Sequence, residues 1–313
     1  MSVTEGAMRS LVPILTVVAA ILGLWYLAVL PMNIHTAASQ AERDGLVVRP
    51  GSAIERQQVG GIALVAMNPQ LIPLTFGQQR PRLPAPHEVA GELWKTIALQ
   101  KVTSKRSLVY HGWVTVSATL LGFAIGTGLG ILLAVGIVHS RTMDMSVMPW
   151  AIASQTIPIL AIAPMIIVVL GAIGVQGLLP KALIAAYLSF FPVVVGMVKG
   201  LRSPDAMQLD LLRTYNASAA QGFWKLRLPA SVPYLFASLK IGIAASLVGT
   251  IVGELPTGAQ AGFGARMLVG DQYGQPLVAW AALIAAAMAA AALVAVIALA
   301  ERITLRQMGM KPA

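Results

Sequence analysis

Two ionisable side chains stand where the chain is otherwise apolar. Lys240 lies about eight residues into the apolar run 232–252, and Glu254 closes that run. At the helical rise the fourteen residues between them span ~21 Å, so they cannot pair within one helix. Each needs another partner, water or a solute, and an ionisable group at membrane depth is costly and usually functional. The Lys240 ammonium can attract an anionic solute or snorkel to the inner surface. Glu254, at a run's end, reads as an outer-gate or structural carboxylate. Gln155 and Thr156 offer hydrogen bonds, either into a cavity or between helices. Pro158, Pro164 and Pro192 fall inside apolar runs. Each frees backbone carbonyls that lipid cannot satisfy. Such breaks mark transport pathways, although proline is also more frequent in membrane helices generally.

This is not the equipment of covalent catalysis. No G-x-x-x-x-G-K-[ST], H-E-x-x-H or G-x-S-x-G occurs. His35, His87, His111 and His139 are scattered without metal-ligand spacing. There is no cysteine, which excludes disulfides, thiol chemistry and a lipoprotein anchor. No metal or cofactor is expected in this chain.

The elements that must position these groups are membrane helices. Of the 313 residues 57% are hydrophobic and 11% charged, against about 25% charged in a soluble domain. Six runs are long enough to span: 11–30, 113–138, 148–170, 182–198, 232–252 and 277–300. The first exceeds the apolar core of a signal peptide and is read as a retained helix. The net charge of +10 is read as basic loops that orient the protein and touch anionic lipid, not as a nucleic-acid surface. Basic residues between 199 and 229 and in the tail (Arg302, Arg306, Lys311) put both termini in the cytoplasm.

The organisation expected is an N-terminal helix (1–32), an outer segment (33–111), a five-helix core (112–300) and a short tail (301–313). The outer segment carries an amphipathic helix over 87–101, with Val89, Leu93 and Ile97 on one face. A mildly apolar patch, 61–74, should lie on the surface. Gly122, Gly126 and Gly130 form two G-x-x-x-G steps that favour close helix packing.

The loop 199–230 separates two spans. Ser203-Pro204-Asp205 reads as a helix start. Leu209 and Leu212 give one apolar face, and Asn216 suits a left-handed turn. A second helix should run through Phe223 and Leu226 and end at Pro229. The result is a helix–turn–helix on the cytoplasmic face, either a plain connection or a docking surface.

Its spacing resembles the cytoplasmic E-A-A loop of binding-protein-dependent ABC importer permeases: E-A-A, three residues, G, nine residues, I-x-L-P. Asp210 stands for the Glu, Leu211 and Leu212 for the alanines, and Asn216 for the Gly. Leu226, Leu228 and Pro229 match the end, with Ala217, Ser218 and Gly222 between. From Leu83 onward the chain resembles the nitrate/sulfonate/taurine branch of that family. Leu83-Pro84-Ala85-Pro86, Gln155-Thr156-Ile157-Pro158 through Pro164, Gly253-Glu254 and Gly262-Phe263-Gly264 carry the likeness. The region before Leu83 is not covered.

The resemblance implies an all-α membrane protein with six transmembrane helices and the type I ABC importer permease fold. It implies a bacterial inner-membrane location and a second permease subunit, identical or paralogous. Further partners are a periplasmic solute-binding protein and ABC ATPase subunits that hold the ATP and magnesium. The solute would be a small anion such as a sulfonate, taurine or nitrate. Related branches carry thiamine-precursor pyrimidines or aromatic carboxylates. A self-contained secondary transporter would instead need coupling-ion carboxylates within its spans, for which Glu254 is the candidate. An intramembrane enzyme would need a clustered nucleophile or metal site.

Overall fold

The computed structural model describes residues 3–255 and 261–310, with side chains from Val12 onward. Every regular element among them is helical. The chain divides into two compact units, residues 1–101 with 267–283 and residues 102–266 with 284–313.

In the first unit α1 (Val3–Arg43) is much longer than the sequence suggests. From Val12 to Arg43 the helix has 32 residues, roughly 48 Å against a hydrocarbon core of roughly 30 Å. Its early residues expose large apolar side chains, whereas Val29, Ile34, Ala38 and Ala41 are buried. What buries them is the outer segment, which folds onto the helix. After a short α2 (Ala53–Gln58), the apolar patch becomes α3 (Gly61–Met67) and a 3-10 turn (Pro69–Thr75). Leu64 and Leu71 pack with Ile34, Ala38 and Ala41 in one small core. Two buried asparagines fix the loops. Asn33 donates to the carbonyls of Thr75 (3.0 Å) and Leu83 (2.9 Å) and accepts from Leu83 N–H (3.0 Å). Asn68 clasps both backbone groups of Arg49. α4 (Pro86–Trp94) follows, then a π-helical turn over Lys95–Leu99. Val89 is buried there, while Trp94 and Ile97 are exposed. Trp25 donates to the Pro84 carbonyl (3.0 Å) and packs on Trp280 (5.1 Å).

The second unit is built on three long helices, α5 (Leu108–His139), α8 (Leu178–Leu201) and α11 (Leu228–Glu254). Lipid offers no hydrophobic drive for helices to associate, so close backbone approach and interhelical hydrogen bonds must do so. Both are present. A Cβ on Gly126 or Gly130 would lie 2.7 Å from Ala186 O or 2.9 Å from Phe190 O of α8. Gly196 and Gly200 of α8 meet Ser238 and Ser231 of α11 in the same way. The Ser246 hydroxyl donates to Thr119 O (2.9 Å), and the Thr119 and Thr250 hydroxyls are 3.0 Å apart, tying α11 to α5.

One expected span, 148–170, is not a single helix. The chain forms α6 (Arg141–Ser154) and α7 (Ile159–Ala172), bent by 99° at Gln155–Pro158. Pro158 has no N–H with which to continue α6, and its ring opposes the preceding turn. Among the described residues five helices are therefore long and apolar enough to cross a membrane, or six when the bent pair counts as one span. α12 (Phe263–Gln272) and α13 (Pro276–Gln307) complete the chain. Lys311 lies outside the described residues.

Candidate functional site

Two groupings occupy the opposite ends of α11. At its N-terminal end, α8 leads into α9 (Ala206–Thr214), a turn, α10 (Ala219–Gly222) and a π-helical turn (Phe223–Arg227). The helix start is two residues later than Ser203. Asp205 is the cap, accepting from Gln208 N–H (2.7 Å) while Gln208 Oε1 accepts from Asp205 N–H (3.3 Å). An aspartate there both satisfies a free amide and meets the positive end of the helix. Asn216 is left-handed, at φ 53°, and Ala217 N–H returns to Leu212 O (3.0 Å). Ser218 starts α10 with a reciprocal Gln221 cap. Pro229 does not end the second helix. It sits in the first turn of α11, where its missing N–H costs nothing, and the chain runs on.

This hairpin is built to be stable while exposed. Leu209, Leu212, Ala217, Gly222 and Phe223 turn inward around a concavity of about 420 Å³ closed by Val138, His139 and Arg227. The His139 and Phe223 rings meet edge-on at 5.0 Å. Outward, Met207 (82% exposed), Leu211 (57%) and Tyr215 (77%) recur every four residues along α9 and just past it. That is one helix stripe, apolar and uncovered. Asp210 is exposed beside it and pairs with Arg213 (2.9 Å). Leu226, Leu228 and Pro229 are half-buried at the root of α11.

At the other end of α11 lies a closed polar knot. Glu254 is fully buried. Its carboxylate accepts from the Thr115 hydroxyl (2.9 Å) and from Gly264 N–H (2.8 Å), with Lys181 Nζ at 3.8 Å. The Thr115 oxygen in turn accepts from Phe263 N–H (2.9 Å). His111 Nδ1 accepts from Gly262 N–H (3.0 Å), and its Nε2 faces Lys105 O (2.9 Å), which fixes the Nε2–H tautomer. Gly262 has φ 127°, and a Cβ there would fall inside the Glu254 carboxyl group; a Cβ on Gly264 would lie 3.0 Å from the Glu254 Cβ. Glycine is what lets this loop approach the carboxylate. Beside the knot, Lys181, Tyr110 and Gln176 line a cavity of about 610 Å³ with Val114, Ile167 and Gly171.

The six candidate path residues do not form one cluster. Gln155, Thr156, Pro158 and Pro164 are exposed at and after the α6–α7 bend, with the Thr156 hydroxyl returned to Ala153 O (2.8 Å). Lys240 binds Glu301 of α13 at 2.5 Å. Glu254 has the separate partners above. Glu301, Lys181 and Thr115 escaped the sequence reading, and His111, noted there only as lacking metal-ligand spacing, is buried in the knot. Glu301 follows the last apolar run, yet α13 continues to Gln307 and buries it. Lys181 was the more legible omission, a charge at the start of the run 182–198 with a carboxylate elsewhere in the chain.

The family model described as "Binding-protein-dependent transport system inner membrane component" matches residues 126–308, more than half of the chain. The chain is 32% identical over 183 residues to the riboflavin transport system permease protein of Chloroflexus aurantiacus, covering 58% of this chain and 64% of that one. It is 30% identical over 169 residues to the formylaminopyrimidine transport permease protein of Halalkalibacterium halodurans, covering 54% and 66%. It is 25% identical over 200 residues to the nitrate import permease protein of Synechocystis sp., covering 63% and 70%. The matches thus span about two thirds of these relatives' lengths.

Proposed function

Because the chain belongs to the family of binding-protein-dependent transport system inner membrane components, we propose that the hairpin Ala206–Arg227 is where an ABC ATPase docks and that α8 and α11 carry its movement into the membrane. The chain is a multi-pass permease subunit of an ABC importer, a transport component and not an enzyme. ATP and magnesium belong to the partner ATPase, and a periplasmic binding protein delivers the solute. The termini face the cytoplasm, on the side of the hairpin. Two permease subunits, identical or paralogous, enclose the path.

The observation that carries the docking assignment is the stripe of Met207, Leu211 and Tyr215, exposed on a doubly capped helix with no cover of its own. The hairpin is rooted directly in two core helices, so a rigid-body push on it is transmitted to them. Leu211→Asp puts a charge into the stripe without touching the inward face. The variant should fold normally and lose co-purification with its ATPase and ATP-driven uptake. Normal assembly and uptake in Leu211→Asp would overturn the assignment.

For the solute we favour a small anion, a sulfonate, taurine or nitrate. Lys181 supports it by placing a cation on the wall of the cavity beside Tyr110 and Gln176. A neutral pyrimidine-type solute is the second reading, favoured by Tyr110, whose ring suits stacking on a flat heterocycle. Calorimetric titration of the cognate binding protein with nitrate, taurine and formylaminopyrimidine decides between them. Binding of the pyrimidine alone would reject the anion.

A further inference from the structure

A strongly basic concavity lies outside the transport core, in the segment before Leu83. α1 outruns the bilayer by about a dozen residues, and its last turns carry His35, Thr36 and Arg43. α2 adds Arg56, and the loop entering Leu83 adds Arg82. Together they line a cavity of about 450 Å³. Arg56 is buried and fully committed. It pairs with Glu42 and donates to the carbonyls of Pro50 (2.9 Å) and Gly51 (3.0 Å), so it serves as a fixed wall. Arg43 and Arg82 are exposed, and among the described residues neither has a carboxylate within ion-pair distance.

The helix end explains Arg43, since a cation there meets the negative pole of α1. It does not explain Arg82, which a separate loop brings to the same cavity. Arg56 adds a third guanidinium to the same wall, with Glu42 as its carboxylate partner. Like charges gathered around one hollow repel unless an anion joins them. Guanidinium forks match the paired oxygens of phosphate and sulfate, and the Thr36 hydroxyl can donate alongside.

We propose that this cavity is an oxyanion site that binds a phosphate-type group through Arg43 and Arg82. The group is supplied by an anionic lipid headgroup or by a free inorganic anion. The site is independent of the transport path and of the hairpin, so its failure would leave the importer assignment standing.

The test uses the full chain in maltoside detergent, which carries no phosphate. Thermal unfolding is followed against inorganic phosphate and sulfate, with chloride at equal ionic strength as reference. Phosphate and sulfate should stabilise saturably beyond chloride. Arg43→Gln or Arg82→Gln should weaken the apparent affinity by about tenfold, the worth of one charge-assisted pair. The double variant should lose the response, while Arg80→Gln, on the same loop but outside the cavity, should keep it. Mixed micelles with phosphatidylglycerol separate the sources. A lipid occupant suppresses the free-phosphate response in the wild type and is retained in native mass spectra by the wild type but not by the double variant. A free anion leaves the response intact in those micelles. An anion response equal to chloride with no retained phosphatidylglycerol, or a double variant that behaves as wild type, would overturn the site.

Discussion

The two ends of α11 are polar in opposite ways. At the hairpin end three polar groups are satisfied within a few residues: Asp205 by Gln208, Ser218 by Gln221, Asp210 by Arg213. One apolar stripe, Met207, Leu211 and Tyr215, is left outside. At the Glu254 end the carboxylate is met from across the fold, by Thr115 from α5, Lys181 from α8 and Gly264 from α12. Local satisfaction makes a module that holds its shape while its surface is given to a partner. Long-range satisfaction makes a joint whose parts cannot be altered singly. The comparison therefore predicts where stability and coupling separate.

The largest loss of stability should follow Glu254→Ala. It takes the carboxylate from Lys181, which keeps the Ala261 carbonyl (3.4 Å), and leaves the Thr115 hydroxyl and Gly264 N–H without this acceptor. Breaking a buried pair from one side costs about 3–5 kcal/mol. Thermal unfolding of the detergent-solubilised chain should shift accordingly, and Glu254→Gln, which keeps an acceptor oxygen, should recover part of it. An unfolding midpoint unchanged in Glu254→Ala would mean that the knot contributes nothing to the joint. Gly126→Val comes next. Its branched side chain meets Ala186 O and Ser189 Oγ on a backbone that cannot withdraw, an overpacking cost of about 1–3 kcal/mol. Asp205→Ala should remove a cap worth about 1 kcal/mol. Because α9 is peripheral, the loss should appear as faster hydrogen exchange in the first turn of α9 and not as a global shift.

Legibility in the sequence follows the same division. What depends on neighbouring residues could be read: the hairpin, its turn at Asn216 and the glycine spacing of α5. Where local signals competed the reading slipped. Ser203 and Asp205 can both cap, and Asp205 wins because Gln208 stands three residues on to reciprocate. Pro229 opens a helix as readily as it closes one. What depends on contact across the fold could not be read. The sequence showed that Lys240 and Glu254 needed partners but not that these were Glu301, Thr115 and Lys181. The segment before Leu83 looked like loop because its apolar residues recur over short pieces. They become a core only against the overlong end of α1, whose length the apolar run alone did not mark.

The smallest effect on stability is expected where the effect on function is largest. Met207→Asp and Tyr215→Asp each replace an exposed side chain that touches no core group, and such changes usually fall within about 0.5 kcal/mol. Unfolding should be unmoved, yet capture of the ATPase should fall, since a charge at the centre of an apolar contact must be desolvated on docking. Glu254→Gln should do the reverse, lowering the unfolding midpoint while the folded fraction still assembles with the ATPase. The pair forms a double dissociation measured by one unfolding curve and one pull-down per variant. If Met207→Asp instead lowers the unfolding midpoint and leaves ATPase capture intact, the stripe belongs to the fold of this chain, and the two ends of α11 are not divided between docking and cohesion.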